Sequence, residues 1–195
     1  MPEFNRLESI AKYVAIISAL VAASVGIAQF RRGVLQSVRE LEWKQADMAR
    51  TIVNGMMRDE GWDAMSMLDW QEGRIYEIAP GVKVRILPTD VAPALEAALQ
   101  TDGAKRTETQ RFIGDRYDRF FFTVSQLQAA IRSGLVRKDD AQFPLSWYVE
   151  KRLCQHRKLI LAYIAANSTP ESAQYFESLK AWQQCPSGDA YRGLN

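Results

Sequence analysis

From Tyr13 to Phe30 the chain runs for eighteen residues, YVAIISALVAASVGIAQF, without a charged side chain. Lys12 stands directly before this run and Arg31 and Arg32 directly after it. As a helix rising about 1.5 Å per residue, the run covers roughly 27 Å, slightly less than the roughly 30 Å of bilayer hydrocarbon. Long basic side chains at either end, Lys12 and Arg31, close such a gap by reaching out to the headgroups. Two other readings compete. A buried core helix is disfavoured by the length of the charge-free stretch and its lack of a polar face at helical spacing. A cleaved export signal would use Gly26 and Ala28 as the small residues before the cut. However, the run is longer than an ordinary signal core, acidic Glu3 and Glu8 dilute Arg6 and Lys12, and Arg31-Arg32 after the cut oppose export. The expectation is an uncleaved transmembrane helix over 13–30, preceded by a tail over 1–12.

Basic residues orient such a helix. Arg6 and Lys12 precede it, whereas Arg31, Arg32, Arg39, Lys44 and Arg50 follow within twenty residues. The richer side is expected in the cytoplasm, which puts the N-terminus outside and the body inside. Within the run, Ala15, Ala19 and Ala23 recur every four residues beside a second row of Ser18, Ala22 and Gly26. Small residues in this spacing let helix backbones approach closely in lipid, so self-association through Ala15, Ala19, Ala22, Ala23 and Gly26 is expected.

The remaining length allows one domain of modest size. Net charge is +2, unevenly spread: residues 61–100 carry six acidic and three basic side chains, residues 101–160 twelve basic and seven acidic. The basic surplus admits anionic lipid or nucleic acid as a partner, but a solvated helix face accounts for it more simply, and nucleic acid is not favoured. The two cysteines, Cys154 and Cys185, are too few for structural zinc. They are expected to be reduced thiols if the body is cytosolic, and are a candidate bridge if it is exported.

Along the body, residues 31–60 read as a juxtamembrane amphipathic helix with Val34, Val38, Leu41, Met48 and Ile52 on one stripe and Gln45 interrupting it. Gly55 and Gly61 weaken and end it. A short helix carries Trp62, Met65, Leu68 and Trp70. β-Branched Ile75, Ile78, Val82, Val84 and Ile86 around Pro80-Gly81 predict a small hairpin near 74–87. Thr89 or Asp90 is expected to cap the next helix, with Pro93 in its first turn. The long helix from Thr107 buries Phe112, Ile113, Tyr117, Phe120, Phe121, Val124, Leu127 and Ile131 and stops at Gly134. A turn stopped near Pro144 leads to another long helix over 145–167, with Leu145, Tyr148, Val149, Leu153, Ile160 and Ile164 inward. Thr169-Pro170 starts the last helix. Trp147, Tyr148, Tyr163, Tyr175, Phe176 and Trp182 supply large apolar area, and 186–195 is a loose tail. The fold class is mainly α, an N-terminal transmembrane helix extended into a helical bundle over 61–185 with a small β-hairpin.

The stretch RYDRFFFTVSQLQAAIRSGLVRKDDAQFPLSWYVEKRL places an aromatic helix, a glycine stop, a hydrophobic pair, an acidic pair and a second aromatic-led helix in succession. With the anchor, it resembles an uncharacterised family of short bacterial proteins that have one membrane helix and a helical cytoplasmic domain. The resemblance implies one membrane helix and a helical cytoplasmic domain; the expected location is the bacterial inner membrane, with a cytoplasmic protein partner. It transfers no activity and no functional residue. The architecture is also similar to CRISPR-associated accessory membrane proteins whose helical domain is of the HEPN ribonuclease kind, marked by an arginine and a histidine with four to six residues between them. Here Arg152 and His156 have three residues between them.

No constellation points firmly to catalysis. His156 is the chain's one histidine. With Arg152 at i,i+4 it offers a general base beside a cation, against the simpler reading of a surface histidine in a basic helix. Asp115 and Asp118 sit among Arg116 and Arg119 as a salt-bridged face. Phosphate-binding glycine loops are absent from the sequence. The expectation is a protein without cofactor or metal, leaning to the non-enzymatic: an anchored helical interaction protein that forms a homo-oligomer. Lys12, Arg31 and Arg32 would lie at the membrane interface. The alternatives are an oligomeric membrane-perturbing or pore-forming effector, for which Ser18, Ser24 and Gln29 are the polar residues of the span, and a tethered ribonuclease using Arg152 and His156.

Overall fold

After Pro2 the first fifty-six residues contain no further proline, and only Gly26, Gly33 and Gly55 lack a side chain. Nothing there removes a backbone donor or blocks an i→i−4 bond, and a single helix α1 (Pro2–Met56) results. The computed structural model describes residues 2–100, 106–143, 145–167 and 169–185, and of 2–16 and 59–60 the backbone only. The expected loop stop at Pro144 and the tail over 186–195 lie outside the described residues. The chain forms two compact units, Met1–Lys44 and Gln45–Asn195. In the first, every residue from 17 to 44 is exposed.

The second unit takes the final turns of α1, which bury Ala49, Val53 and Met56. Then come α2 (Asp59–Asp69), β1 (Arg74–Ala79), β2 (Val82–Ile86), α3 (Pro88–Leu99) and α4 (Glu108–Arg132). Two short helices, α5 (Lys138–Ala141) and α6 (Leu145–Tyr148), lead into a π turn at Val149–Leu153 and a 3-10 turn at Cys154–His156. The last three helices are α7 (Arg157–Ala166), α8 (Pro170–Glu177) and α9 (Lys180–Gln183). The protein is mainly helical, with one antiparallel two-stranded hairpin.

α4 is the axis of this unit, packing on α2, α3 and α8. The Thr107 hydroxyl accepts the Gln110 N–H at 3.1 Å while the Gln110 side chain accepts the Thr107 N–H at 2.9 Å, a reciprocal cap. At the other end Gly134 takes φ +75°, so that its N–H reaches Ile131 O and the Leu135 N–H reaches Ala130 O, each at 3.0 Å. Between them Ile113, Tyr117, Phe120, Phe121, Val124 and Leu127 are buried at the predicted spacing. Ring centroids of Tyr117, Phe120, Tyr163 and Phe176 lie 5.3 to 6.0 Å from that of Phe121. The hairpin pairs Arg74 with Ile86 and Tyr76 with Val84, and Tyr76 and Ile86 reach the core.

Several expectations need correction. The juxtamembrane helix stops at Met56 rather than near Glu60, and Gly61 lies inside α2. A Cβ on Gly61 would stand 2.3 Å from Met56 O, so this residue permits the close turn between the helices rather than ending α1. Pro93 falls in the second turn of α3, because the Asp90 carboxylate accepts the Leu87 N–H at 2.8 Å and makes Pro88 the first helical residue. Trp147 is 46% exposed and Trp70 50%. The helix expected over 145–167 is broken by the π turn, where the Cys154 N–H reaches back five residues to Val149 O. Of the two states left open for Cys154 and Cys185, the structure has the bridge, with Cα atoms 5.2 Å apart.

The core holds tyrosines whose hydroxyls end on carbonyl oxygens. Tyr117 donates to Ala64 O at 3.0 Å and Tyr175 to Ala141 O at 3.0 Å. Tyr148 lies 3.3 Å from the same Ala64 O. Burial pushes Tyr117, Tyr148, Tyr163 and Tyr175 well above the ordinary phenol range. The neighbouring Tyr148 adds to this at Tyr117, and Asp118 adds to it at Tyr163. The unfolded chain releases these protons near pH 10 and the folded unit does not. Their contribution to stability is therefore complete below about pH 10 and is lost as pH rises further. In an absorbance titration these four phenols are expected to ionise together with the loss of helical signal. Their ionisation with helicity intact would contradict this burial.

Candidate functional site

The residues singled out for membrane association lie on α1. Successive helical residues are about 100° apart. On that wheel Ala15, Ala19, Ala22, Ala23 and Gly26 fall on one side, and Ile17, Leu20, Val21, Val25 and Ile27 on the other. Ile17, Leu20 and Phe30 are 60%, 64% and 73% exposed. Apolar side chains thus stand uncovered around the helix rather than along one stripe. The Ser24 hydroxyl donates to Leu20 O at 2.8 Å, so this polar group is satisfied within the helix. A Cβ on Gly26 would meet nothing within 4 Å. The chain's own packing therefore does not require glycine there. Arg31 and Arg32 follow, both exposed. Lys12 and Ala15 lie outside the residues whose side chains are described. Among the described residues no helix is long and apolar enough to cross a membrane; the side-chain description of the Tyr13–Phe30 run begins only at Ile17.

Arg152 and His156 are turned to different tasks. Arg152 Nε donates to Asp69 Oδ1 at 2.8 Å and its Nη2 lies 2.7 Å from the same oxygen and 3.4 Å from Asp69 O. This fastens the π turn to the C-terminal end of α2, where a cation is also favoured by the helix dipole. His156 is half-buried, and burial lowers its pKa from the ordinary imidazole value while Glu96 opposes that shift. Asp69 is thus the partner of Arg152, while the charge that acts on His156 is that of Glu96.

The carboxylates of α4 separate too. Asp118 accepts the Tyr163 hydroxyl at 2.8 Å, Asp115 is exposed, and Arg116 reaches across to Asp63 at 3.3 Å with its guanidinium 4.4 Å from the Phe112 ring centroid. No group of three or more potential metal ligands occurs among the described residues.

A polar arrangement that the sequence reading missed lies inside α2. Residues Ala64 to Leu68 are all buried, Ser66 among them. The Ser66 hydroxyl donates to Asp63 O at 3.0 Å and lies 2.8 Å from the Tyr76 hydroxyl. Together with Tyr117 and Tyr148 on Ala64 O, it centres a hydrogen-bonded knot where the hairpin, α4 and α6 meet. Every hydroxyl in it has a backbone or hydroxyl partner, so it orders the core and presents no reactive group. Compared with family models, curated proteins and solved structures, the chain matches none.

Proposed function

We propose that this chain is a membrane-anchored, non-enzymatic interaction protein, held in a lipid bilayer by the helix over Tyr13–Phe30 and self-associating through the small-residue side of that helix. One observation carries the reading: on α1 the residues from Ile17 to Phe30 are exposed on every side and none is charged. A helix that is apolar all round has to be covered, and lipid covers it without a specific partner. Arg31 and Arg32 then lie at the headgroups, as Lys12 does at the other end. Arg116, Asp118 and Arg152 of the folded unit are engaged in structural contacts, which supports a binding role.

Gly26 provides the test of self-association. Gly26→Ile fills the small-residue side at a position where an added Cβ meets nothing within 4 Å. Val25→Ile, about 100° round the helix from Gly26, is the control that places the same side chain off that side. In native membranes, chemical cross-linking of the full chain is expected to give dimers or higher species for the parent and for V25I, and several-fold less for G26I. Equal cross-linking of all three would refute association through this side.

A further inference from the structure

We propose that the folded unit resides in an oxidising compartment, where Cys154 and Cys185 are joined, and that α1 therefore crosses the bilayer with its N-terminal end on the reducing side. The second half of this rests on the membrane reading of α1; the first half does not.

The pairing is built into the core. Cys154 opens the 3-10 turn that follows the π turn. Cys185 follows α9, its N–H on Trp182 O at 3.2 Å. Their 5.2 Å Cα separation is within the range a disulfide spans, about 4.4–6.8 Å. Both positions are fixed by other contacts. Trp182 is wholly buried and stacks on Phe176 with centroids 5.3 Å apart. The Arg157 guanidinium stands 5.4 Å from the centre of the Trp182 ring, and its Nη1 donates to Cys185 O at 3.4 Å. Cys185 itself is 5% exposed. Two sulfurs are therefore brought together by packing that surrounds them, not by the wandering of a loose end. The link closes a separation of 31 residues and ties down α9, which at four residues is too short to hold a helical form alone.

Forming the bond removes two electrons and two protons. One cysteine thiolate attacks a sulfur of a disulfide carried by a protein oxidant, giving a mixed disulfide. The second thiolate then attacks the chain's own sulfur in that mixed disulfide, and the oxidant leaves as a dithiol. Such oxidants act in secretory and periplasmic spaces, whereas cytosolic thiol reductants reverse the bond. This placement opposes the one drawn from Arg31, Arg32, Arg39, Lys44 and Arg50. The distribution of basic residues biases insertion, while a reducing compartment acts on every folded copy.

The test is thiol trapping on the full chain expressed in a bacterium. Cells are quenched in acid, denatured, and free thiols are capped with a polyethylene-glycol maleimide before or after reduction. A parallel sample of membranes is washed in alkaline carbonate. The expected result is no added mass before reduction, two additions after it, and recovery in the membrane pellet. Two additions without reductant overturn the proposal, and recovery in the pellet then leaves the anchor standing. An oxidised chain in the wash supernatant keeps the compartment and removes the crossing. A reduced chain in the supernatant removes both.

Discussion

Replacing Leu20 and Val21 together with arginine is expected to release the chain from carbonate-washed membranes. These residues stand in the middle of the Tyr13–Phe30 run and are 64% and 58% exposed, so they contribute nothing to the folded unit's core. On insertion scales an arginine at a helix centre is unfavourable by about 2.5–3.5 kcal/mol, while leucine or valine is favourable by about 0.3–0.6 kcal/mol. The double replacement thus disfavours insertion by roughly 6–8 kcal/mol, enough to reverse any ordinary partition of a single helix. Ile75→Arg is the matched control, because Ile75 is similarly exposed at 58% but lies on the hairpin. The I75R chain is expected to stay in the pellet. Retention of L20R/V21R alongside it would mean that something other than this helix holds the protein to membranes.

Phe121→Ala is expected to remove about 3–5 kcal/mol from the stability of the folded unit. Phe121 is 1% exposed and meets four other rings, from α4, α7 and α8, so the cavity it leaves cannot close without moving three helices. For a unit of this size such a loss lowers the midpoint of thermal unfolding by roughly 10 °C. The adjacent Phe122 is 58% exposed, and Phe122→Ala is expected to change stability by no more than about 0.5 kcal/mol. Denaturant unfolding of the detergent-solubilised full chain, followed by circular dichroism, separates the two. Similar losses for F121A and F122A would place the inner face of α4 wrongly.

The contrast between these neighbours shows what the sequence made legible. α4 could be read because each level agreed: Thr107 and Gln110 cap it, aromatic residues recur at helical spacing, and Gly134 supplies the positive φ that ends it. Pro80-Gly81 marked the hairpin for the same reason. Where small residues carried the information, the reading missed. Gly61 was read as the end of α1, and attention to Trp62, Met65, Leu68 and Trp70 overlooked Ala64 and Ser66; the small size of these residues lets α2 approach its neighbours and offers Ala64 O to two tyrosines. The break in the 145–167 helix was equally hidden. Leu145, Tyr148, Val149, Leu153, Ile160 and Ile164 are buried as expected, but the chain is also tethered through Cys154, and a long-range link leaves no mark on local periodicity.

The apolar run on α1 was legible by its lack of charge, since such a run needs only counting. What faces its small-residue side was not, because the spacing of Ala19, Ala23 and Gly26 defines a surface and not its occupant. The surroundings of Arg152 were hidden for a different reason. Its nearness to His156 along the helix suggested a pair, while its actual partner, Asp69, is 83 residues away in sequence.

The central claim is that hydrocarbon surrounds the middle of α1, and photo-crosslinking tests it most directly. A diazirine amino acid placed at Val21 of the full chain, irradiated in intact membranes, is expected to attach to lipid acyl chains, whereas the same group at Ile75 is not. Adducts at position 21 with water or protein only, and none with lipid, would contradict the account.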